Sequence, residues 1–369
     1  MKTKSIITMI LATAVLVSCS DWTKPESIQI EVSSLEKDNP ELYAEYCKMI
    51  RDYKASDHKI TYVAFDNQSR TDDQSYNLTS LPDSIDFVEL SNPESATSLL
   101  PQMEKLRSEK GFRFAIEFSY DKVKAALQTE IDRLDGEYKA AYEKVTEEYE
   151  AAKAAATEKG EDPATVPAPT YPDAPTYPEI TGYFTDELNK VFGYVDALGL
   201  DAVRVQYAEV KDTYHLTEEE LAAYKEEQTS FFQTLSKEFN SREGVSLLLC
   251  TKAEYIVSEE FINAAEYVIL PCEGLTGTAD MDYLGTRTND VYPEAKLLYS
   301  VTNTSSDDYK KGCFNAGEQI PLASKWMSVP AAFGKDGLVI YDARTAFYDS
   351  NHNVYSKIRT AIRNMNPNS

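Results

Sequence analysis

The sequence predicts an α/β fold, a (β/α)8 TIM barrel, from three observations. Eight short apolar runs recur, at Ile60–Phe65, Ile85–Leu90, Phe112–Phe118, Ala202–Tyr207, Val245–Cys250, Tyr267–Leu270, Leu297–Val301 and Leu338–Tyr341. Amphipathic stretches separate them, at Pro93–Lys110, Phe184–Leu198, Glu218–Asn240, Ser258–Ala265 and Ala323–Phe333, with Val354–Met365 as a closing helix. The runs are nearly continuous in apolar residues, as strands are when helices cover the outside of a parallel sheet. Strand then helix, repeated, is the pattern of a parallel barrel.

The first residues predict export and lipidation. Lys2 and Lys4 make a basic start, Ile6 to Val17 is an apolar run short for a membrane span, and Leu16-Val17-Ser18-Cys19 has the form of a lipobox. Cleavage before Cys19 would leave a lipid-bearing N-terminus that tethers the chain to a membrane without crossing it. The alternative is an ordinary secretory peptide with an incidental cysteine. The expected organisation is a signal at 1–18, a lipidated tether at 19–40 that includes Trp22, and a barrel at 41–369 with an insertion at about 120–180. Beyond the signal no run reaches the roughly 18 apolar residues of a spanning helix.

Composition excludes several classes. A formal net charge of -24 argues against nucleic acid or an anionic bilayer surface as ligand, since both need a basic patch. The 25 tyrosines suit a carbohydrate binder, and equally suit the faces of amphipathic helices. With three histidines and no Cys-x-x-Cys spacing, no metal site is expected, and no cofactor. Export would permit disulfides among Cys47, Cys250, Cys272 and Cys313. Cys250 and Cys272 close apolar strands, however, which favours buried free thiols acting as small hydrophobes.

One region breaks the strand–helix rhythm. From Tyr120 to about Lys159, apolar positions Leu127, Ile131, Leu134, Tyr138, Ala141 and Val145 trace a single helix face. Six prolines between Asp162 and Pro178 then predict an extended, semi-rigid run. This insertion would either shape a binding face or dock a partner, or be a solvated extension packed on the barrel's side; its charge favours the latter.

The fourth predicted strand carries the functional signal. In Leu198-Gly199-Leu200-Asp201-Ala202-Val203-Arg204-Val205-Gln206-Tyr207-Ala208, apolar Val203, Val205 and Tyr207 alternate with positions 204, 206 and 208. The stretch resembles the Asp-Gly-x-Asp-x-Asp-x-Glu strand of family 18 glycoside hydrolases. Asp201 matches the first Asp, while the later Asp positions hold Arg204 and Gln206 and the Glu position holds Ala208. Together with Cys19-Ser20-Asp21-Trp22, Tyr341-Asp342-Ala343-Arg344, Tyr355-Ser356-Lys357-Ile358-Arg359 and Met365-Asn366-Pro367, it makes the chain resemble family-18-like lipoproteins of Bacteroidetes glycan-utilisation systems.

Some members of that group are endo-β-N-acetylglucosaminidases, and others are surface glycan-binding proteins beside a SusC/SusD-like importer pair. The resemblance implies substrate-assisted chemistry, in which the Glu protonates the leaving oxygen and the Asp two residues earlier steadies the substrate's acetamide, an exception to the usual carboxylate pair. Ala208 has no proton to give, Gln206 supplies no negative charge, and Arg204 places a cation beside a cationic transition state. Glu209 would point to the other face of the strand unless a bulge re-aims it.

The expectation is therefore a glycan-binding protein with no catalytic residue. It would be held on the outer membrane by its lipid, exposed at the cell surface or facing the periplasm, with an N-glycan or chitooligosaccharide-like ligand. Barrel sites form at the C-terminal strand ends, so the expected sugar contacts are Asp66, Asn67, Asn92, Glu117, Gln206, Glu273, Asn303, Trp326 and Tyr341, with Ser91, Ser119 and Tyr120 nearby. One alternative is an active hydrolase whose acid has moved to Asp66, Glu89, Glu117 or Glu273. Another is a scaffold of the importer that binds no sugar.

Overall fold

The computed structural model describes residues 34–68, 73–207, 215–256, 259–304, 310–348, 351 and 353–367. The chain divides into two compact units, one ending at Tyr46 and one running from Cys47. In the first, Ser34 accepts a hydrogen bond from the Lys37 amide and so caps the short helix Leu35–Asp38. The helix Pro40–Ala55 spans the boundary between the units. Everything below concerns the second.

Eight parallel strands close into a barrel: β1 Ile60–Phe65, β2 Phe87–Leu90, β3 Arg113–Ser119, β4 Ala202–Gln206, β5 Ser246–Cys250, β6 Tyr267–Pro271, β7 Leu297–Thr302 and β10 Gly337–Tyr341. A two-stranded hairpin, β8 Cys313–Phe314 and β9 Gly317–Glu318, stands apart from it. The first and last strands close the ring, with Ile60 opposite Gly337 and Val63 opposite Ile340. Here the predicted α/β barrel is the observed one.

Differences at strand ends have local causes. β2 starts at Phe87 rather than Ile85 because Asp86 turns the chain into the sheet. Its carboxylate accepts from the Thr61 amide at 2.8 Å and hydrogen-bonds His58 Nε2 at 2.9 Å. The helix expected over Ala323–Phe333 runs over Gln319–Met327 instead. Pro330 disfavours helical backbone at Val329, so the turn ends before it. The helix Thr278–Val291 has no counterpart in the sequence reading. Its buried stripe is Met281, Leu284, Gly285 and Thr288, two of them small or polar. Gly285 is required there, since a Cβ would lie 2.4 Å from the Tyr299 hydroxyl.

Alternation along the strands builds two separate cores. Outward side chains such as Val203, Val205 and Tyr207 join the shell under the helices. Inward ones, including Tyr62, Phe87, Ala115, Ala202, Leu248, Tyr267, Leu298 and Val339, fill the bore. At the N-terminal end of the bore Arg113 grips Glu266 through two nitrogens at 2.6 Å each. Its guanidinium lies 4.2 Å from the Phe87 ring centroid.

The helix Tyr120–Glu158 begins where β3 ends, capped by Ser119, whose hydroxyl accepts from the Lys122 amide. Along it Leu127, Ile131, Leu134, Tyr138 and Val145 are half-buried, and Ala141 is exposed. The proline-rich run returns antiparallel. Tyr171 stacks on Tyr142 with ring centroids 4.3 Å apart, and further back Tyr177 donates to Asp135. The chain re-enters the barrel through the helix Ile180–Leu198, which ends on left-handed Gly199. Among the described residues no helix is long and apolar enough to cross a membrane. Cys47, Cys250 and Cys272 are buried, Cys313 is half-buried, and all four are free thiols. Cys19 and Trp22 lie outside the described residues.

The closure of the barrel exposes one intolerant position. A Cβ on Gly337 would fall 2.1 Å from the Ile60 carbonyl oxygen, a backbone atom that cannot step aside. Gly337→Ala should therefore lower the unfolding free energy by about 2–3 kcal/mol, as overpacked cores do. Urea denaturation of the two proteins measures it.

Candidate functional site

Asp201, the first acid of the β4 stretch, sits at the N-terminal end of the strand. Its carboxylate accepts from the Phe114 amide at 2.8 Å and from Arg107 Nη2 at 3.1 Å, and Arg107 Nη2 also donates to the Gly199 carbonyl at 2.6 Å. These bonds fasten β4 to the elements around it, and Asp201 plays a framing role.

Three residues on, the inner face of β4 carries a charge. Arg204 is 4 % exposed. Its Nε meets Glu89 Oε2 at 2.5 Å, its Nη2 meets Glu89 Oε1 at 3.0 Å and Glu117 Oε1 at 3.1 Å, and its Nη1 donates to Gln206 Oε1 at 2.8 Å. Tyr62 donates its hydroxyl to Glu89, and the Tyr341 ring centroid lies 5.3 Å from the Arg204 guanidinium carbon. Strands β1, β2, β3, β4 and β10 thus converge on one cation.

Burial opposes the charge on Arg204, but the Glu89 carboxylate outweighs it and holds the guanidinium well above its usual pKa. Burial, reinforced by Glu89, drives the Tyr62 phenol well up. Burial does the same to the Tyr341 phenol against the pull of Arg204. The Cys250 thiol beside them is pushed up to about 12, chiefly by burial, and is no nucleophile near neutral pH. For Glu117, burial raises and the Arg204 charge lowers; with Lys122 adding a second cation, the carboxyl is held below its usual range. A general acid needs the opposite shift.

Above this cluster lies a mouth of about 270 Å3, lined by Asp66, Glu89, Ser91, Thr302, Lys311 and Tyr341 among others. Asp66 is held by Arg344 at 3.1 Å and by the Asn92 side-chain amide at 2.9 Å. Asp342 follows β10 in left-handed backbone at φ 54°, a conformation Asp tolerates. Its carboxylate pairs with Lys311 at 2.5 Å. Glu273 differs from these: one of its carboxylate oxygens is buried with no hydrogen-bond partner among the described residues.

Over residues 23–165 and 144–364 the chain matches the family model described as glycoside hydrolase family 18, BT1044-like. It belongs to that family. Among solved structures, a selenomethionyl Glu-to-Gln variant of BT1044 superposes with a TM-score of 0.54 at 16 % identity, covering 90 % of this chain and 96 % of that one. The apo endo-beta-N-acetylglucosaminidase of Cordyceps militaris gives a TM-score of 0.53 at 14 % identity, over 88 % and 96 % of the two chains. A double mutant of that enzyme, Asp to Asn and Glu to Gln, in complex with fucosyl-N-acetylglucosamine-Asn gives 0.51 at 14 %, over 87 % and 95 %. No curated protein matches the sequence significantly.

Within this family-18 barrel the residues expected to hold sugar fall into two groups. Asp66, Asn92, Glu117, Gln206, Glu273 and Tyr341 do stand at the C-terminal strand ends, though most already have protein partners. Asn67 is fully buried and spends its amide on Asn92, donating to its carbonyl at 2.7 Å and accepting from its backbone N–H at 2.8 Å. Asn303 is 3 % exposed and donates to Thr345 at 2.9 Å, while its side-chain oxygen is buried with no partner among the described residues.

Trp326 is misplaced outright. It lies at the far end of the helix Gln319–Met327, packed edge-on to Tyr299 with its indole N–H on Asp282 at 2.9 Å. Lys335, just before β10 begins, sits 3.7 Å over its ring, so Trp326 belongs to the N-terminal side of the barrel, away from the mouth. Tyr120, another rim candidate, is buried in a stack with Tyr207 and Phe231 and donates to Glu227 at 2.5 Å. Ala208 and Glu209 lie outside the described residues.

The sequence shows Arg204 and Glu89 as charges on the faces of β4 and β2, but not that they pair. A single acid or base at an inward position of a barrel strand must find its opposite on a neighbouring strand, and β2, β3 and β4 each carry one.

Removing one partner of such a pair strands the other. Arg204→Met should cost about 3–5 kcal/mol, and the double change Glu89→Leu with Arg204→Met should recover most of that loss. Chemical denaturation of the single and double variants checks the coupling.

Glu117 sets a pH dependence. Its folded pKa lies below the usual 4.5, so its pairing stabilises fully above about pH 4.5 and is lost as pH falls through the lower folded value. The acid limb of stability against pH should be shallower in Glu117→Gln than in the wild type, with the two curves converging at the acid end.

Proposed function

We propose that this protein binds glycan without cleaving it, held on the outer membrane by acyl chains on Cys19 and capturing an N-acetylglucosamine-containing glycan for a neighbouring importer. The observation that carries this reading is Arg204. Where the family strand has a carboxylate, this chain has a cation wired to Glu89 and Glu117. Both acids nearest the expected reaction centre are thereby committed to neutralising an arginine.

The strand around Arg204 supports the same reading. The fungal neighbour was solved with its ligand as a mutant in which an Asp and a Glu two residues apart had been changed to Asn and Gln. The family pattern puts Gln206 and Ala208 at two positions with that spacing. Absence of a general acid typically costs on the order of 10² to 10⁴ in rate, and the cation at 204 opposes the charge that develops at the sugar. Gln206 brings no proton and no negative charge, and its side-chain oxygen is taken by Arg204 at 2.8 Å.

A second reading, hydrolysis by a relocated acid, has one observation in its favour: the buried oxygen of Glu273 with no partner among the described residues.

Incubation with an N-glycoprotein and with chitooligosaccharides, followed by mass spectrometry of the supernatant, separates the two. Neither the wild type nor Ala208→Glu should release glycan, because Arg204 and Gln206 would still stand at the two family carboxylate positions. On a glycan array the wild type should bind N-glycans. Product from the wild type that disappears in Glu273→Gln would establish the second reading, and silence across the array would favour a scaffold that binds no sugar.

A further inference from the structure

Beside the mouth a larger cleft opens, of about 480 Å3. It lies between the ends of β2 and β3, the first turns of the helix Tyr120–Glu158, and the helix Ile180–Leu198. Its floor is apolar, built from Leu90, Ile116 and Val191. Tyr183 and Tyr194 line one wall, both half-buried. Eleven residues apart on one helix, they stand on the same face about 16 Å from each other.

The charged groups of the cleft lean negative. Lys190 pairs with Glu187 at 3.5 Å and Lys122 pairs with Glu117, while Glu94 and Glu89 add two more carboxylates, the latter turned to Arg204. Among the described residues that line it, both lysines are paired, and none is left over to hold a carboxylate or a sulfate. Carboxylates between two aromatic faces over an apolar floor suit a ligand with C–H faces and hydroxyl donors.

We propose that this cleft, and not the bore or its mouth, is where the glycan sits, and that it takes a short neutral oligosaccharide laid along Tyr183 and Tyr194. The inference rests on the reading of the protein as a glycan binder. The bore offers no room because the Arg204 cluster fills it, whereas the cleft is the larger space and its groups are only loosely committed. Ring faces stack on the tyrosines, and hydroxyls donate to Glu94 and Glu187. Lys122 joins the two regions, since its partner Glu117 also contacts Arg204. The inserted helix thereby forms one wall of a binding site.

Calorimetric titration with a neutral N-glycan core pentasaccharide tests this. Tyr194→Ala and Ala126→Trp should each weaken binding by about tenfold or more. The second variant adds bulk at an exposed cleft position and removes nothing from the core. Tyr283→Ala, on an exposed face elsewhere, should bind as the wild type does. A sialylated glycan should bind no tighter than its neutral form; tighter binding would overturn the neutral assignment. If Tyr341→Phe or Thr302→Ala abolishes binding while the cleft variants keep it, the cleft is wrong and the glycan reading stands. If the wild type binds neither form, both fall.

Discussion

A guanidinium inside a barrel is stable only if the barrel wall is built to hold it, and the bond between Arg204 and Glu89 sets those terms here. Taking two such ions out of water costs several kcal/mol each, and only close, saturated geometry repays it. The geometry is saturated: Glu89 receives two nitrogens and a tyrosine hydroxyl, and Arg204 reaches Glu117 and Gln206 with what remains. Five of the eight strands contribute to that arrangement. The pair thereby ties one side of the barrel together.

The opposite end of the bore repeats the solution, with Arg113 clasped by Glu266 against Phe87. Between the two arginines the bore is packed by Tyr62, Leu248, Leu298 and Val339. An apolar filling with an ionic lid at each end has no open axis through which a polymer could be drawn. In the binding reading proposed above, the ligand is therefore held at the barrel's edge.

The strand positions were legible because each is a short apolar run between turn-forming residues, and the barrel follows from their number and the helices between them. The helix Thr278–Val291 was not, because Gly285 and Thr288 sit where a wide apolar stripe would have marked it. Site residues were read less well than strands. Asp66 is at the mouth because it follows β1 and Tyr341 because it ends β10, and that rule is purely topological. Asn67 obeys the same rule yet is fully buried, since its amide clamps the next loop. Trp326 was chosen for its chemistry alone, and one helix of backbone carries it to the other end of the barrel. The Arg204–Glu89 contact spans 115 residues, and nothing local announces which acid a buried arginine will meet.

The clasped insertion has a consequence of its own, which is geometric. Its helix of 39 residues covers about 58 Å, and the 20 residues from 160 to 179 could span at most about 62 Å even if wholly in polyproline form. Outgoing and returning arms are therefore matched in length, and the tyrosine contacts at 142–171 and 135–177 hold them in step. The chain comes back close to where it left. To the barrel, some sixty residues amount to a short connection between Ser119 and Ile180, with little cost in closure entropy. Such a hairpin can lengthen or shorten if both arms change together, leaving the eight strands undisturbed, so its reach is free to vary while the barrel stays the same.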